Sequence, residues 1–503
     1  MMTDIHVHPL PKSGRRDVLP EVSRQCHMTG ASLMLVSMGE KATGYPDEAE
    51  VRQSNEVARN FAERSDVPCR WLAYLNAQNS NWQDELDLCV REGAVGVKLW
   101  TSLKEADGKL DNAARLLAYA GERGLSVLIH TWQVTGGSEE AGEITLEEFA
   151  TLAERCPATQ LVAAHAGGNW RHSIGVLRDR TPNAHVDVCG YYPERGLVEA
   201  LVADVGAERV LFGSDVAGRT QASQAAKVVL ADISEADKEM ILWRNAARVF
   251  GLPEVPPIPS APFRPLDELP DFRTDHFCFC GRWPFYEGPW VTAAELEEVL
   301  AQGDIEKAYT GDFDGLYRQD LERVNNRFLD AAKGLRRVAP LATVNPVAHN
   351  WRSLMRHLKD GFAGVILHPY LHNWRLDDPA HGEFFRALSR RQLPVWVNCI
   401  IADHRTRHSG LQCRPAKAEE LLAFCEAAPP NRYVFQGAGE RPIRQVLDRF
   451  PQDERFRFEV SRLTDGSFAF GDTAEKHGIS QLVLGSEFPL RHIEEVRWTA
   501  RRI

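Results

Sequence analysis

Short apolar runs recur along the chain, separated by longer stretches in which apolar positions return every three to four residues. The first pattern is that of buried strands and the second that of helices lying with one face on a sheet. In the first half the apolar runs fall at residues 4–8, 33–38, 71–76, 95–100, 126–131, 161–166, 185–190 and 210–215. Eight strands alternating with helices over about 250 residues predict an α/β fold of the TIM-type (β/α)8 barrel kind. The last helix is well punctuated, with Ser234 at its start, Asp237 three residues on, and Gly251 then Pro253 after its end.

Residues 253–270 read PEVPPIPSAPFRPLDELP, where repeated prolines remove backbone donors and hold an extended path, as in a semi-rigid linker. Beyond it the strand pattern returns at 275–279, 307–310, 341–345, 365–370, 395–400, 433–436, 456–460 and 482–487. GAVGVKLW answers to GFAGVILH, SVLIHT to PVWVNC, and VLFGSD to LVLGSE, an internal repeat. Two tandem barrels are expected, residues 1–252 and 271–503, joined by the linker 253–270.

Composition narrows the classes of function. The 503 residues carry a formal net charge of −11, spread along the chain, so the basic footprint of a nucleic-acid binder is missing. No apolar run reaches the roughly 18–20 residues that span a bilayer, so no membrane partner is expected. Ten cysteines without zinc-knuckle spacing fit a reducing compartment. An N-terminus without a basic-then-apolar leader points to the cytoplasm. Homodimerisation is left open.

The chemistry-bearing residues of the first half sit where such barrels keep theirs. Side chains alternate along a strand, so Asp4, His6 and His8 point the same way. A His-x-His pair alone is weak, since histidines on strands are more often core or surface residues. It gains weight because His130 ends the fifth expected strand, His165 the sixth and Asp215 the eighth, the ends at which TIM barrels place catalytic groups. Three imidazoles and a carboxylate suit zinc, or manganese or another divalent ion, with a coordination position left for water. Lys98 ends the fourth strand. Trp100, Trp132, Trp170, Arg171, Tyr191, Tyr192 and Arg219 follow strands at the same mouth, and flat apolar walls with cations favour a small carboxylated substrate, aromatic or cyclic. Individually, each of these aromatics is better explained by loop packing.

In combination, DIHVH, VGVKLW, LIHT, AAHAGG, LFGSD and RNAARVFGL resemble the amidohydrolase superfamily. The likeness is to its amidohydrolase-related branch, which includes decarboxylases and hydrolases of aromatic and dicarboxylic acids. That resemblance implies that His6, His8 and His130 bind the ion, and that Asp215 is a ligand or takes a proton from water. It also implies that His165 polarises substrate or orients that water. Asp4 would support the ligand strand from behind. Lys98 would bind a substrate carboxylate, or be the carbamylated lysine that bridges two metals in some members. The implied activity is a metal-dependent hydrolase acting through a metal-activated water on a small carboxylated cyclic, amide or ester-like substrate. A metal-dependent non-oxidative decarboxylase is the alternative, and a non-catalytic scaffold or binding protein the third reading.

The second half lacks the ligands. Aligning Asp275 with Asp4, and Gly281 with the glycine position after the motif, puts Phe277 and Phe279 where His6 and His8 stand. A one-residue shift would bring His276 and Cys278 there instead. Asn398 replaces His130, Gln436 or Gly437 replaces His165, Ile366 replaces Lys98, and Glu487 replaces Asp215. This half is expected to hold no metal and to act as a structural or assembly partner. His368, His372, His381, His404 and His408 crowd the fourth- and fifth-strand loops with Asp403 beside them; the histidines read as surface residues, with an unrelated site or a contribution to the first pocket as the alternative.

Overall fold

The structure is a computed structural model and describes the chain except for residues 11–16, 40–45, 101–107, 134–142, 191, 260, 266–267, 286–287 and 404–412. It falls into two compact units, residues 1–263 and, in the main, residues 264–501. Tyr191, His404 and His408 lie outside the described residues.

In the first unit the apolar runs become β1 (Thr3–Val7), β2 (Leu33–Val36), β3 (Cys69–Trp71), β4 (Ala73–Leu75), β5 (Gly96–Leu99), β6 (Ser126–Ile129), β7 (Leu161–Ala163), β8 (His185–Asp187) and β9 (Val210–Leu211). All pair in parallel, in the orders β1-β2-β3 and β4-β5-β6-β7-β8-β9. The single strand expected at 71–76 starts earlier and breaks at Leu72. Before the break the chain pairs with β2, after it with β5. The ends of the series meet, because Ile5 N–H donates to Phe212 C=O (3.2 Å) and Asp215 N–H to His6 C=O (2.8 Å). Parallel strands with helices between them, closed in this way, give the first half the form of a TIM-type barrel.

Alternation along the strands sends Ile5, Leu33, Leu35, Leu128, Val162 and Leu211 into one buried cluster, which Phe250 and Leu252 complete. Burying a side chain of this size is worth about 1.5–3 kcal/mol. Helices Glu48–Arg64 and Leu146–Arg155 both open in a capping box, Asp47 with Glu50 and Thr145 with Glu148. Ser234 caps the final helical stretch, which passes through a π turn at Met240–Arg244 and ends at Gly251 in the left-handed region. The proline-rich segment is not free of this unit, since Ala261 N–H donates to His27 C=O and His27 Nδ1 to Pro259 C=O, each at 3.0 Å.

The second unit contains β10 (Thr274–Arg282), β11 (Trp290–Val291), β12 (Lys307–Asp312), β13 (Val338–Thr343), β14 (Gly364–Leu367), β15 (Val395–Asn398), β16 (Tyr433–Gln436), β17 (Phe456–Glu459) and β18 (Leu482–Val483). One sheet runs β11-β10-β12-β13-β14-β15-β16-β17-β18. Only β11 is antiparallel, a two-residue addition to the end of β10 and too short for periodicity to reveal. His276 N–H donates to Leu484 C=O (2.8 Å) and Phe279 N–H to Phe488 C=O (2.8 Å), tying β10 to the chain after β18.

The same kind of backbone clamp occurs in each unit. Asp4 Oδ1 accepts from His6 N–H (3.1 Å) and Ser214 N–H (3.0 Å); Asp275 Oδ1 accepts from Phe277 N–H (2.9 Å) and Ser486 N–H (3.1 Å). His165 N–H donates to Asp187 (2.7 Å) and Gly437 N–H to Glu459 (3.1 Å), with φ of 61° and 65°. Phe277 thus stands to Asp275 as His6 stands to Asp4, and Gly437 to Glu459 as His165 to Asp187. Phe277 and Phe279 are both fully buried, Phe279 stacked on Phe313 with ring centroids 4.8 Å apart.

The histidines read as surface residues include two that are buried. His368 follows β14 into the interior beside Phe279 and is 0% exposed, with neither ring nitrogen hydrogen-bonded; His381 is buried as well. All ten cysteines are free thiols. Among the described residues no helix is long and apolar enough to cross a membrane.

Candidate metal centre

The strand ends of the first unit bring His6, His8 and Asp215 together, with one donor atom from each within 4.8 Å of the others. Neighbours decide which nitrogen each ring offers. Asp187 Oδ2 lies 2.7 Å from His6 Nδ1, and the Ser37 carbonyl lies 2.9 Å from His8 Nδ1. Both partners can only accept, so both Nδ1 atoms carry the proton and both Nε2 atoms present lone pairs. Those two Nε2 atoms stand 3.1 Å apart, and Asp215 Oδ1 is 3.7 Å from His8 Nε2. Two facing lone pairs and a carboxylate in a buried site call for a cation.

Lys98 answers part of that call. It is 1% exposed, not a surface lysine, and its Nζ donates to His6 Nε2 at 2.8 Å. Burial pulls the Lys98 ammonium below its usual range. Burial, with Lys98 beside them, also holds His6 well below the ordinary imidazole value and His8 down to about 3. Burial pushes the Asp215 carboxyl up, against the pull of Lys98 and Arg219. Neutral imidazoles with lone pairs aimed at one point are the ligand state a divalent ion needs, so these residues fit one.

A second group, His6, His165, Asp187 and Cys189, gathers on the other side of His6. Its His6 nitrogen is the one already donating to Asp187. Burial and Asp187 keep the Cys189 thiol protonated, and it hydrogen-bonds Asp187 Oδ1 at 3.1 Å. The group's His6 nitrogen and its Cys189 thiol are thus both engaged with Asp187. Asp187 serves both His6 and the backbone N–H of His165. Asp4 instead touches no imidazole ring and clamps β1 to Ser214 and Gln221.

His130 lies in neither group. Its Nε2 donates to Glu143 Oε1 at 3.1 Å, leaving Nδ1 to accept from His165 Nε2 at 3.1 Å. His165 ring packing reaches His6 at 4.9 Å between centroids. The chain Glu143, His130, His165 thus runs toward the His6 ring. Its geometry at His165 depends on a left-handed turn directly after β7, which a strand running to residue 166 would not provide.

Trp100 and Trp132 wall this region, Trp100 beside His130 at 5.6 Å and Trp132 beside His165 at 5.7 Å. Trp170 and Arg171 are both bound to Glu194. Arg219 lies over the Tyr192 ring at 4.7 Å and reaches the Gly190 carbonyl at 3.5 Å. Asp187, Cys189 and Glu143 were not singled out by the sequence. Asp187 could have been, as an acid at the end of the expected strand 185–190; Glu143 lies on a connecting segment without periodic pattern.

Residues 3–252 match a family model described as amidohydrolase. Among solved structures, a 2,6-dihydroxybenzoate decarboxylase from Rhizobium is 17% identical over 50% of this chain and 98% of its own, with a TM-score of 0.40. A dihydroxybenzoic acid decarboxylase from Polaromonas with bound manganese and the inhibitor 2-nitroresorcinol is 15% identical over 50% of this chain and 96% of its own, TM-score 0.40. An amidohydrolase from Burkholderia multivorans with bound zinc is 17% identical over 50% of this chain and 100% of its own, TM-score 0.40. No curated protein matches the chain.

Proposed function

Since the chain belongs, through residues 3–252, to the amidohydrolase family and is a metal-dependent enzyme of that type, we propose that His6, His8 and Asp215 hold its catalytic ion. The reaction we propose is hydrolysis of a small carboxylated amide, ester or lactone. The observation that carries the ligand assignment is the pair of Nε2 lone pairs 3.1 Å apart, each fixed by an acceptor on Nδ1. A divalent ion bound there, zinc by preference of the imidazole-rich set, polarises a carbonyl and acidifies water.

The chain's own groups then divide the remaining work. Asp215 takes the proton of the attacking water and passes it to the leaving group. His130 and His165, linked to each other and to Glu143, orient the substrate carbonyl or the water. Lys98 and Arg219 bind the substrate carboxylate, and Trp100 and Trp132, with Trp170 and Arg171, wall the mouth.

One observation favours a second reaction. A buried ammonium beside the ligand histidines can fix a carboxylate directly at the reacting centre, as a non-oxidative decarboxylase requires, with Asp215 or His165 returning the proton. The second unit, residues 271–503 after a linker at 253–270, we read as a degenerate copy that holds no metal there.

The test is metal analysis by mass spectrometry on the purified chain and on His6→Ala and Asp215→Ala, followed by a screen over lactones, amides and aromatic acids. About one divalent ion per wild-type chain, lost in the variants, is expected. A wild type without bound metal, or variants that retain it, would sink the ligand assignment. Carbon dioxide as product, without hydrolysis, would decide for the decarboxylase.

A further inference from the structure

We infer that the second unit carries a binding pocket for a small planar organic anion, at the end of its sheet where the strands begin, away from Asn398 and Glu487. The pocket encloses about 270 Å³, and among the residues lining it are His276, Lys307, Tyr309, Trp396, Arg432 and Arg457. That volume lies just under the roughly 300–1,000 Å³ of drug-sized sites, which selects a small ligand.

Strand pairing shows how the pocket arises. In the first unit this end of the barrel is packed shut by Ile5, Leu33, Leu35, Leu128 and Val162 beneath Phe250 and Leu252. Thr3 pairs with Leu33 as Thr274 pairs with Lys307, and Leu128 pairs with Val162 as Trp396 pairs with Val434. The same five places in the second unit therefore hold His276, Lys307, Tyr309, Trp396 and Val434. An apolar plug has become aromatic walls with polar edges. Tyr309 and Trp396 lie with ring centroids 4.6 Å apart, and His276 is 4.9 Å from Tyr309.

Two features mark this pocket as a built site. Trp396 is 3% exposed, and its indole N–H has no hydrogen-bond partner; His276 Nδ1 is likewise buried and unpartnered. Buried polar atoms left in this way are costly unless a ligand or water meets them. Charge supplies the second feature. Lys307, Arg432 and Arg457 line the pocket, and among the described residues none pairs with a carboxylate. Arg455 is matched by Asp453 at 2.7 Å, and Glu454 is the one acid in the lining. Burial, with Arg457 and Lys307 nearby, holds His276 down to about 3, so it is neutral and can offer only one ring N–H. A flat ring slides along Tyr309 and Trp396, its polar edge meets the indole N–H, and its anionic group meets the three cations.

The probe is 2-naphthoate, with neutral 2-naphthamide as its control, titrated into the full chain by equilibrium dialysis. Saturable binding is expected in the wild type and equally in Asp215→Asn, which alters only the first unit. Binding is expected to weaken roughly tenfold or more in the double variant Lys307→Ala, Arg457→Ala, again in Arg432→Ala, and for the amide in place of the acid. These cations are at the surface, so folded variants are expected, as unchanged circular dichroism will verify. Absence of saturation at millimolar naphthoate, equal binding by the cation variants, or loss of binding in Asp215→Asn would each overturn the inference.

Discussion

Asp187→Asn isolates what a carboxylate behind the ligand histidine does. In the wild type Asp187 Oδ2 accepts from His6 Nδ1 at 2.7 Å, while Oδ1 accepts from His165 N–H at 2.7 Å and Cys189 N–H at 3.3 Å. Asparagine keeps the volume but has one acceptor atom. If its oxygen stays with the two backbone donors, its NH2 faces His6 Nδ1. The ring must then accept there and carry its proton on Nε2, the atom that faces His8 and Lys98. A protonated Nε2 cannot bind a metal. If the oxygen turns to His6 instead, two backbone N–H groups lose their acceptor in a fully buried place, at about 1–3 kcal/mol each. Either outcome is expected to weaken metal affinity by about 10–100-fold, equivalent to about 1.4–2.7 kcal/mol. Competition for zinc and for manganese against a chromophoric chelator measures this directly. If Asp187→Asn binds metal within about twofold of wild type while His6→Ala does not bind it, the orienting role of Asp187 is refuted.

Dialysis against a chelator is expected to lower the Tm of the wild type but not that of His6→Ala. Binding at a free metal level about a thousandfold above Kd contributes about 4 kcal/mol. Phe279→Ala, which empties a fully buried site stacked on Phe313, is expected to cost about 3–5 kcal/mol in urea unfolding of the second unit; a cost below about 1 kcal/mol would contradict its packing role. Burial, with Glu487 nearby, pushes Glu459 up to about 8 from 4.5, against donors from Gly437 and Ser461. The folded chain then keeps a proton that the unfolded chain releases, so stability falls as pH rises from about 4.5 to about 8 and is level above. The whole span is at most roughly 5 kcal/mol. Glu459→Gln should flatten that slope, and an unchanged pH profile of unfolding would reject the assignment.

Strand positions were legible because apolar runs between helical stretches are a backbone-independent pattern. The expected set in the first half falls on β1 to β9, but the chain breaks at Leu72 and the later strands end early, β7 at Ala163, β8 at Asp187 and β9 at Leu211. The convergence of His6, His8 and Asp215 was legible for the same reason, since strand parity and strand ends fix where such side chains point. Tautomers were not, because they depend on Asp187 and the Ser37 carbonyl, which come from other strands. The grouping of His130 with Glu143 was hidden too, as residue 143 lies in a segment with no period to read. His368 read as a surface residue because a histidine in a loop usually is one; only packing against Phe279 reveals it as buried. The pocket at Trp396 was hidden because strand patterning registers aromatic and aliphatic residues alike, while the difference between a plug and a cavity is one of shape.

His165 and Gly437 give the clamp a thermodynamic consequence. Both donate their N–H to the strand-end acid of the next strand, and both do so with φ near 60°. For a residue with a Cβ this conformation costs about 1–2 kcal/mol, and for glycine nothing. The unit without facing histidines has glycine there, while the other keeps a histidine whose ring bonds His130. The strain at His165 is therefore tied to its side chain. Two truncations separate the terms: His165→Ala removes the ring and keeps the strain, and His165→Gly removes both. Glycine is expected to be more stable than alanine by about 1 kcal/mol, despite the usual preference of about 0.5–1 kcal/mol for alanine in regular structure. Urea unfolding of the two variants gives the difference without reference to the lost ring. Alanine equal to or above glycine in stability would mean that the turn after β7 relaxes once the imidazole is gone, and that the left-handed geometry belongs to the ring and not to the fold.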